Sequence, residues 1–142
     1  MKRMSAVIPY RHNSEGELEI LLVTSRRRQH WVLPKGKVKD GLLPNASAAR
    51  EAYEEAGLIG TVSPETVGSY RQRKSTGIGA PEAAEVLVYP MLVLSENATW
   101  PEMDQRKRQW MSLDDALQSI RSRKIRHILE VFWARVKVDR PD

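Results

Sequence analysis

The stretch AEVLVYPMLVLS, residues 84–95, is the most apolar run in the chain and reads as a central strand. A strand of that kind needs neighbours, and the sequence supplies them. AVIPY (6–10) and LEILLVTS (18–25) read as two further strands joined by the polar turn RHNSEGE. HWVLPKG (30–36) is a short strand running into a loop, and KVKDGLLPN (37–45) is loop by its Gly and Pro content. TVGSYRQRK (66–74) and KRQWMSL (107–113) complete the strand candidates. Between them, a helix is expected from about Ala46, with Asn45 as N-cap and Gly57 as its stop. Ser112 or Asp114 is placed to cap a short helix, DDALQSI. In RKIRHILEVFWARVKV (123–138), Ile125, Ile128, Leu129, Phe132, Trp133 and Val136 recur at helical spacing and would dock on the sheet. Strands interleaved with helices predict a layered α/β or α+β domain spanning residues 1–142.

With 142 residues and 41% hydrophobic content, the chain can bury one real core. It has no cysteine, which excludes a disulfide framework, a thiolate zinc site and a cysteine nucleophile. No apolar run approaches a membrane span, and the N-terminus lacks signal-peptide features, so the expected location is the cytoplasm. Lys and Arg total 23 against 18 Asp and Glu, a net charge of +5 that points to an anionic partner. The cations cluster at 26–28, 71–74, 106–108 and 121–127.

REAYEEAGL (50–58) places Glu51, Glu54 and Glu55 within an arc of roughly 100° at 100° per residue. Like charges at these spacings repel by a few tenths of a kcal/mol per pair. Ala46, Ala49, Tyr53 and Ala56 fall on the other side, so the helix is expected to bury small residues and present its carboxylates outward. Acidic helix faces are commonly just solvated. A hard divalent cation gives the crowding another cause, because Mg²⁺ takes one or two carboxylates together with water and substrate phosphate.

The wider spacing separates these readings. Gly36, Arg50, Glu51, Glu54, Glu55 and Gly57 stand in the register G-x5-E-x7-R-E-U-x-E-E-x-G-U, where U is aliphatic. Ala52 and Leu58 fill the two U positions. This pattern resembles the signature of the Nudix hydrolases; six fixed residues match by chance at a given start with a probability on the order of 10⁻⁷. One position departs: Leu42 stands where the family has Glu, and Asp40 is the nearest carboxylate. The resemblance implies an α/β/α sandwich around a mixed sheet and hydrolysis of a diphosphate by water attack on phosphorus. It further implies Mg²⁺, or Mn²⁺, held by the Gly36 carbonyl, Glu51, Glu54 and Glu55. Glu51 or Glu55 would also take the proton of the attacking water, with Arg50 orienting the acids. Glu82 and Glu85 are candidates for a further carboxylate from outside the signature.

RRRQHWVLPKG and WPEMDQRKRQWMSLDDAL resemble segments of the subgroups that cleave diphosphoinositol polyphosphates and dinucleoside polyphosphates. For such a small phosphorylated substrate, Arg26, Arg28, Lys35, Arg71, Arg106 and Arg108 are the candidate phosphate-binding cations, with Arg27, Arg73 and Lys74 in the same clusters. Lys35, beside Gly36, is the first choice. Trp31 and Tyr70 are candidates for stacking on a base, while Trp100, Trp110 and Trp133 are assigned to packing. His12, His30 and His127 have no metal-ligand spacing. Three rivals follow from the same residues: a module that binds nucleotide without cleaving it, a nucleic-acid binder using the basic C-terminal helix, and an enzyme removing pyrophosphate from RNA 5′ ends. Against the second, the apolar positions of that helix need burial, and no helix-turn-helix or zinc-finger spacing appears.

Overall fold

A computed structural model describes residues 2–74 and 82–139; the side chains of Lys74, Glu82, Val138 and Asp139 lie outside that description. Its elements are β1 (Lys2–His12), β2 (Leu18–Thr24), β3 (Trp31–Val32), β4 (Lys35–Lys37), α1 (Pro44–Ala56), β5 (Leu58–Val62), β6 (Gly68–Lys74), β7 (Glu82–Glu96), β8 (Arg108–Ser112), α2 (Leu113–Ser119) and α3 (Arg123–Asp139). Among the described residues all eight strands join one sheet in the order β3-β2-β1-β7-β5, with β4 on β1, β6 on β7 and β8 on β2. β1 and β7 run parallel and the other pairs antiparallel, so the sheet is mixed.

Alternation along the strands builds two cores, one on each face. Ala6, Ile8, Ile20, Leu22, Val86 and Val88 pack with Ile125, Ile128, Leu129 and Phe132 of α3. Val7, Leu21, Val23, Tyr89 and Met91 face the other way, against Ala48, Ala52 and Ala56 of α1. β1, β2 and β7 are covered on both faces, which is why their sequences are near-continuous apolar runs. The result is an α/β/α sandwich. α3 buries its apolar stripe against the sheet as expected. No helix among the described residues is long and apolar enough to cross a membrane.

The structure corrects four local expectations. Lys35–Lys37 is a strand, because pairing with Met4–Ala6 of β1 orders a sequence that has no apolar pattern of its own. Leu58–Val62 is an additional strand that pairs with the end of β7. α1 starts at Pro44 rather than Ala46, with Leu43 at the cap position and no side-chain cap; proline suits a first helical turn because the N–H it lacks would have no partner there. The buried face of α1 is also rotated. Ala46 and Tyr53 are exposed, whereas Ser47, Ala48, Glu51, Ala52, Glu55 and Ala56 are buried. At the other end of the helix Gly57 adopts the left-handed conformation with φ 68°, as its stop position requires.

Candidate active site

Glu51 and Glu55 point inward because β4 lies over them. They are only 7% and 4% exposed. Gly36 makes this possible: a Cβ there would stand 2.2 Å from Cδ of Glu51 and 2.4 and 2.6 Å from its two carboxyl oxygens. Any side chain at 36 would occupy the carboxyl's place. The neighbouring Lys35 N–H donates to Oε1 of Glu55 at 3.4 Å.

Burial sets the electrostatics. Desolvation pushes Glu55 up to about 8, opposed by Arg106 and reinforced by the charge of Glu51 and a hydrogen bond with it. Desolvation likewise raises Glu51, while its hydrogen bond with Glu55 works in the opposite direction. The two carboxyls therefore hold a proton that isolated carboxylates would have lost at neutral pH.

Glu54 stands apart from this pair. Its Oε1 is 3.5 Å from Nζ of Lys39 and 3.3 Å from Nε of Arg50. No three Asp, Glu or His side chains among the described residues converge into a ready set of metal ligands. Two adjacent buried carboxyls still fit a hard cation, since Mg²⁺ is satisfied with one or two carboxylates plus water and phosphate oxygens. Both carboxyls are pushed toward the neutral form by burial, which a nearby cation would offset, and the Gly36 backbone closes one side of that place.

The segment between β7 and β8 completes the site, and sequence reasoning did not anticipate its role. Glu102 N–H donates to the Glu54 carbonyl at 3.0 Å, and Nη1 of Arg108 donates to the Ala56 carbonyl at 2.7 Å. These contacts satisfy carbonyls that the end of α1 leaves open. Arg106 is the hub of the segment. Its Nε lies 2.9 Å from Oε1 of Glu102, its Nη2 3.6 Å from Oε2 of Glu55, and its Nη1 donates to the Thr24 carbonyl at 3.1 Å. The i,i+4 spacing of Glu102 and Arg106 was the available signal.

The predicted cations thus separate. The Arg106 side chain is only 9% exposed and is occupied by protein partners. Arg108 stacks 3.9 Å over the Trp100 ring while capping α1. Both spend guanidinium donors on the protein itself, Arg106 at three partners and Arg108 at the end of α1. Arg26 and Arg28 are exposed on the β2–β3 connection. Lys35 is half-buried, its Nζ reaching Gln72 of β6. Arg71 is exposed on β6, and Tyr70 beside it is half-buried against the α3 core.

Of the outside carboxylates, the Glu82 side chain lies outside the described residues, and Glu85 sits on β7 opposite Arg71. Glu102 is the outside carboxylate whose charge bears on Glu51 and Glu55. Leu42 is exposed at the edge of the loop before α1. That loop is held without a carboxylate at 42, by Lys39 N–H donating to Oγ of Ser47 and by Oγ of Ser5 donating to the Pro44 carbonyl.

A mixed sheet between helices, with two buried carboxyls of one helix pressed under a glycine strand, defines a class of α/β/α protein with an acidic centre. The chain belongs to the Nudix family: the family model described as the NUDIX domain matches residues 1–132. It is 32% identical over 123 residues to Nudix hydrolase 13, mitochondrial, of Arabidopsis thaliana, covering 83% of this chain but only 61% of that protein. It is 30% identical over 129 residues to the human diphosphoinositol polyphosphate phosphohydrolase 3-beta, covering 89% of this chain and 73% of that one. Among solved structures, a C. elegans Ap4A hydrolase binary complex matches with a TM-score of 0.73 at 22% identity, over 97% of this chain and 99% of its own. At that identity the likeness is one of fold.

Proposed function

We propose that the chain, as one domain over residues 1–142, is a divalent-metal-dependent hydrolase that cleaves a phosphoanhydride bond in a nucleoside- or inositol-linked di- or polyphosphate. The observation that carries this is the pair of buried carboxyls, Glu51 and Glu55, under Gly36, in a chain of the Nudix family. Glu51, Glu55 and the Gly36 carbonyl would hold Mg²⁺ or Mn²⁺, with Glu54 beside them. The ion, when bound, supplies charge neutralisation at phosphate and an acidified water. A carboxylate oxygen of Glu51 or Glu55 takes the proton of the attacking water as its oxygen bonds to phosphorus and the anhydride P–O bond breaks. Arg106 keeps Glu55 in place for this, and Arg50 does the same for Glu54. Lys35, with Arg26 and Arg28 further out, is assigned to the phosphates. The reading places the enzyme in the cytoplasm.

Diphosphoinositol polyphosphates are the favoured class and dinucleoside polyphosphates the second, following what the human relative and the C. elegans protein are named for. The test is a panel of diphosphoinositol phosphates, dinucleoside polyphosphates, nucleoside triphosphates, ADP-ribose and 5′-triphosphorylated RNA, each with Mg²⁺ and with chelator. Metal-dependent release of phosphate or nucleotide from one class is expected. Tight binding of a panel member with no product would favour the non-cleaving module and overturn the hydrolase.

A further inference from the structure

The loop between β4 and α1 carries no acid at Leu42, where the Nudix pattern has one, and brings a cation to the acidic centre instead. Three residues earlier, Nζ of Lys39 stands 3.5 Å from Oε1 of Glu54. The backbone of Lys39 is fixed on both sides. Its N–H donates to Oγ of Ser47, a fully buried residue of α1, at 2.9 Å, and its carbonyl accepts from the Leu42 N–H at 3.1 Å. The preceding Val38 N–H donates to the Arg3 carbonyl of β1 at 3.1 Å. The stem of Lys39 can swing, but from this anchorage its ammonium stays within reach of α1.

Glu54 is thereby held twice. Nε of Arg50 lies 3.3 Å from the same Oε1 that Lys39 approaches. The charge of Lys39 also acts on Glu51. Around the centre, the carboxyls of Glu51, Glu54, Glu55 and Glu102 face three fixed cations, Lys39, Arg50 and Arg106. A part-exposed pair such as Lys39–Glu54 adds little to folding. Its effect on an incoming ion is larger, because a fixed cation repels a divalent ion at short range and withholds a carboxylate from it. One ion needs only one or two carboxylates, which Glu51 and Glu55 can supply. A second would need Glu54.

We propose that Lys39 is a tethered counter-ion that limits the acidic centre to one divalent ion, because its ammonium keeps Glu54 from serving a second. This rests on the metal-dependent reading of the Glu51–Glu55 site. It adds the number of ions and the residue that sets it.

The probe is Mn²⁺ alone, titrated into chelator-treated protein at neutral pH, with the free ion followed by electron paramagnetic resonance. Wild type should bind one Mn²⁺ per chain. Lys39→Met should bind two, the first about tenfold tighter, which is the change a unit charge a few ångströms away makes in a neighbouring ionisation. Lys39→Arg keeps the charge and should stay at one. Lys39→Met/Glu54→Gln should also return to one, since the second ion depends on the carboxylate that Lys39 releases. Lys37→Met removes the same charge from an exposed position on β4, one step from Gly36 and so on the other face of the sheet, and should bind like wild type. Melts in chelator should keep all these variants within a few degrees of wild type, because no core residue is touched.

Two ions in wild type, or equal number and affinity in wild type and Lys39→Met, overturn the proposal. So does a gain in Lys37→Met equal to that in Lys39→Met, or a second ion that survives Lys39→Met/Glu54→Gln. No Mn²⁺ on either wild type or Lys39→Met overturns it together with the metal site. Because the titration involves no turnover, a substrate panel without products refutes the hydrolase reading alone.

Discussion

Gly36→Ala separates the site from the fold. The added Cβ would stand 2.2 Å from Cδ of Glu51, and ordinary van der Waals contact begins at 3.4 Å. The carboxyl must retreat by about 1 Å, and misplacement on that scale costs on the order of 10²-fold in rate. The three atoms it meets first belong to the end of a flexible side chain, so the structural penalty is small. Displacing a rotamer costs about 0.5–1.5 kcal/mol, and Gly→Ala returns about 0.4–1 kcal/mol by restricting the unfolded chain. Stability should therefore stay within about 1 kcal/mol of wild type, a shift of a few degrees in melting temperature. The assays are kcat/KM on whichever substrate the panel identifies, and thermal melts with chelator and with Mg²⁺. The variant should melt near wild type in chelator and lose most of the Mg²⁺-induced rise. In a double-mutant cycle, Gly36→Ala should add almost nothing to Glu51→Ala. Wild-type kcat/KM in Gly36→Ala, or a variant that fails to fold, would refute the cradle.

Glu55→Gln keeps the side chain's shape but removes a charge whose burial is unfavourable; it should melt higher than wild type in chelator at pH 8 while losing more than about tenfold in turnover. Glu54→Gln should likewise fold and turn over more than about tenfold slower, which the same kinetics would show. Arg106→Ala removes the partner of Glu102 and of the Thr24 carbonyl and lets Glu55 stay neutral; denaturant titration should show a loss of about 1–3 kcal/mol, and Arg106→Lys should recover only part of it, since one ammonium cannot reach all three partners. Metal-free protein should lose stability as pH rises. The folded state holds Glu55 near pKa 8 against an ordinary 4.5, so across that window it binds a proton that the unfolded chain has released. Melts in chelator from pH 5 to 8 should fall steadily, and Mg²⁺ should flatten the profile.

Much of the sheet was legible because β1, β2 and β7 are apolar enough to declare themselves without partners. Lys35–Lys37 declared nothing, since its strand character comes from Met4–Ala6 across the ladder. The acids were legible as a spacing, but helical periodicity describes one helix and is silent about what covers it. Glu51 and Glu55 read as outward-facing for that reason, although β4 buries them. Arg106 and Arg108 read as phosphate-binding cations because a basic cluster in a chain of net positive charge suggests an anionic partner. Their partners, Glu55 and the Ala56 carbonyl, lie some fifty positions away in the chain. No local pattern announces contacts at that distance.

The way the β7–β8 connection grips the end of α1 has a consequence for how the centre comes into being. The helix can be written by thirteen consecutive residues, but its hub arginine arrives only after the long central strand has been threaded and the chain has turned back. The acidic motif is consequently not a portable cassette. Transplanted without that returning segment it would bring its charges but not their orientation, so the ion capture proposed for it would report completed topology instead of helix formation.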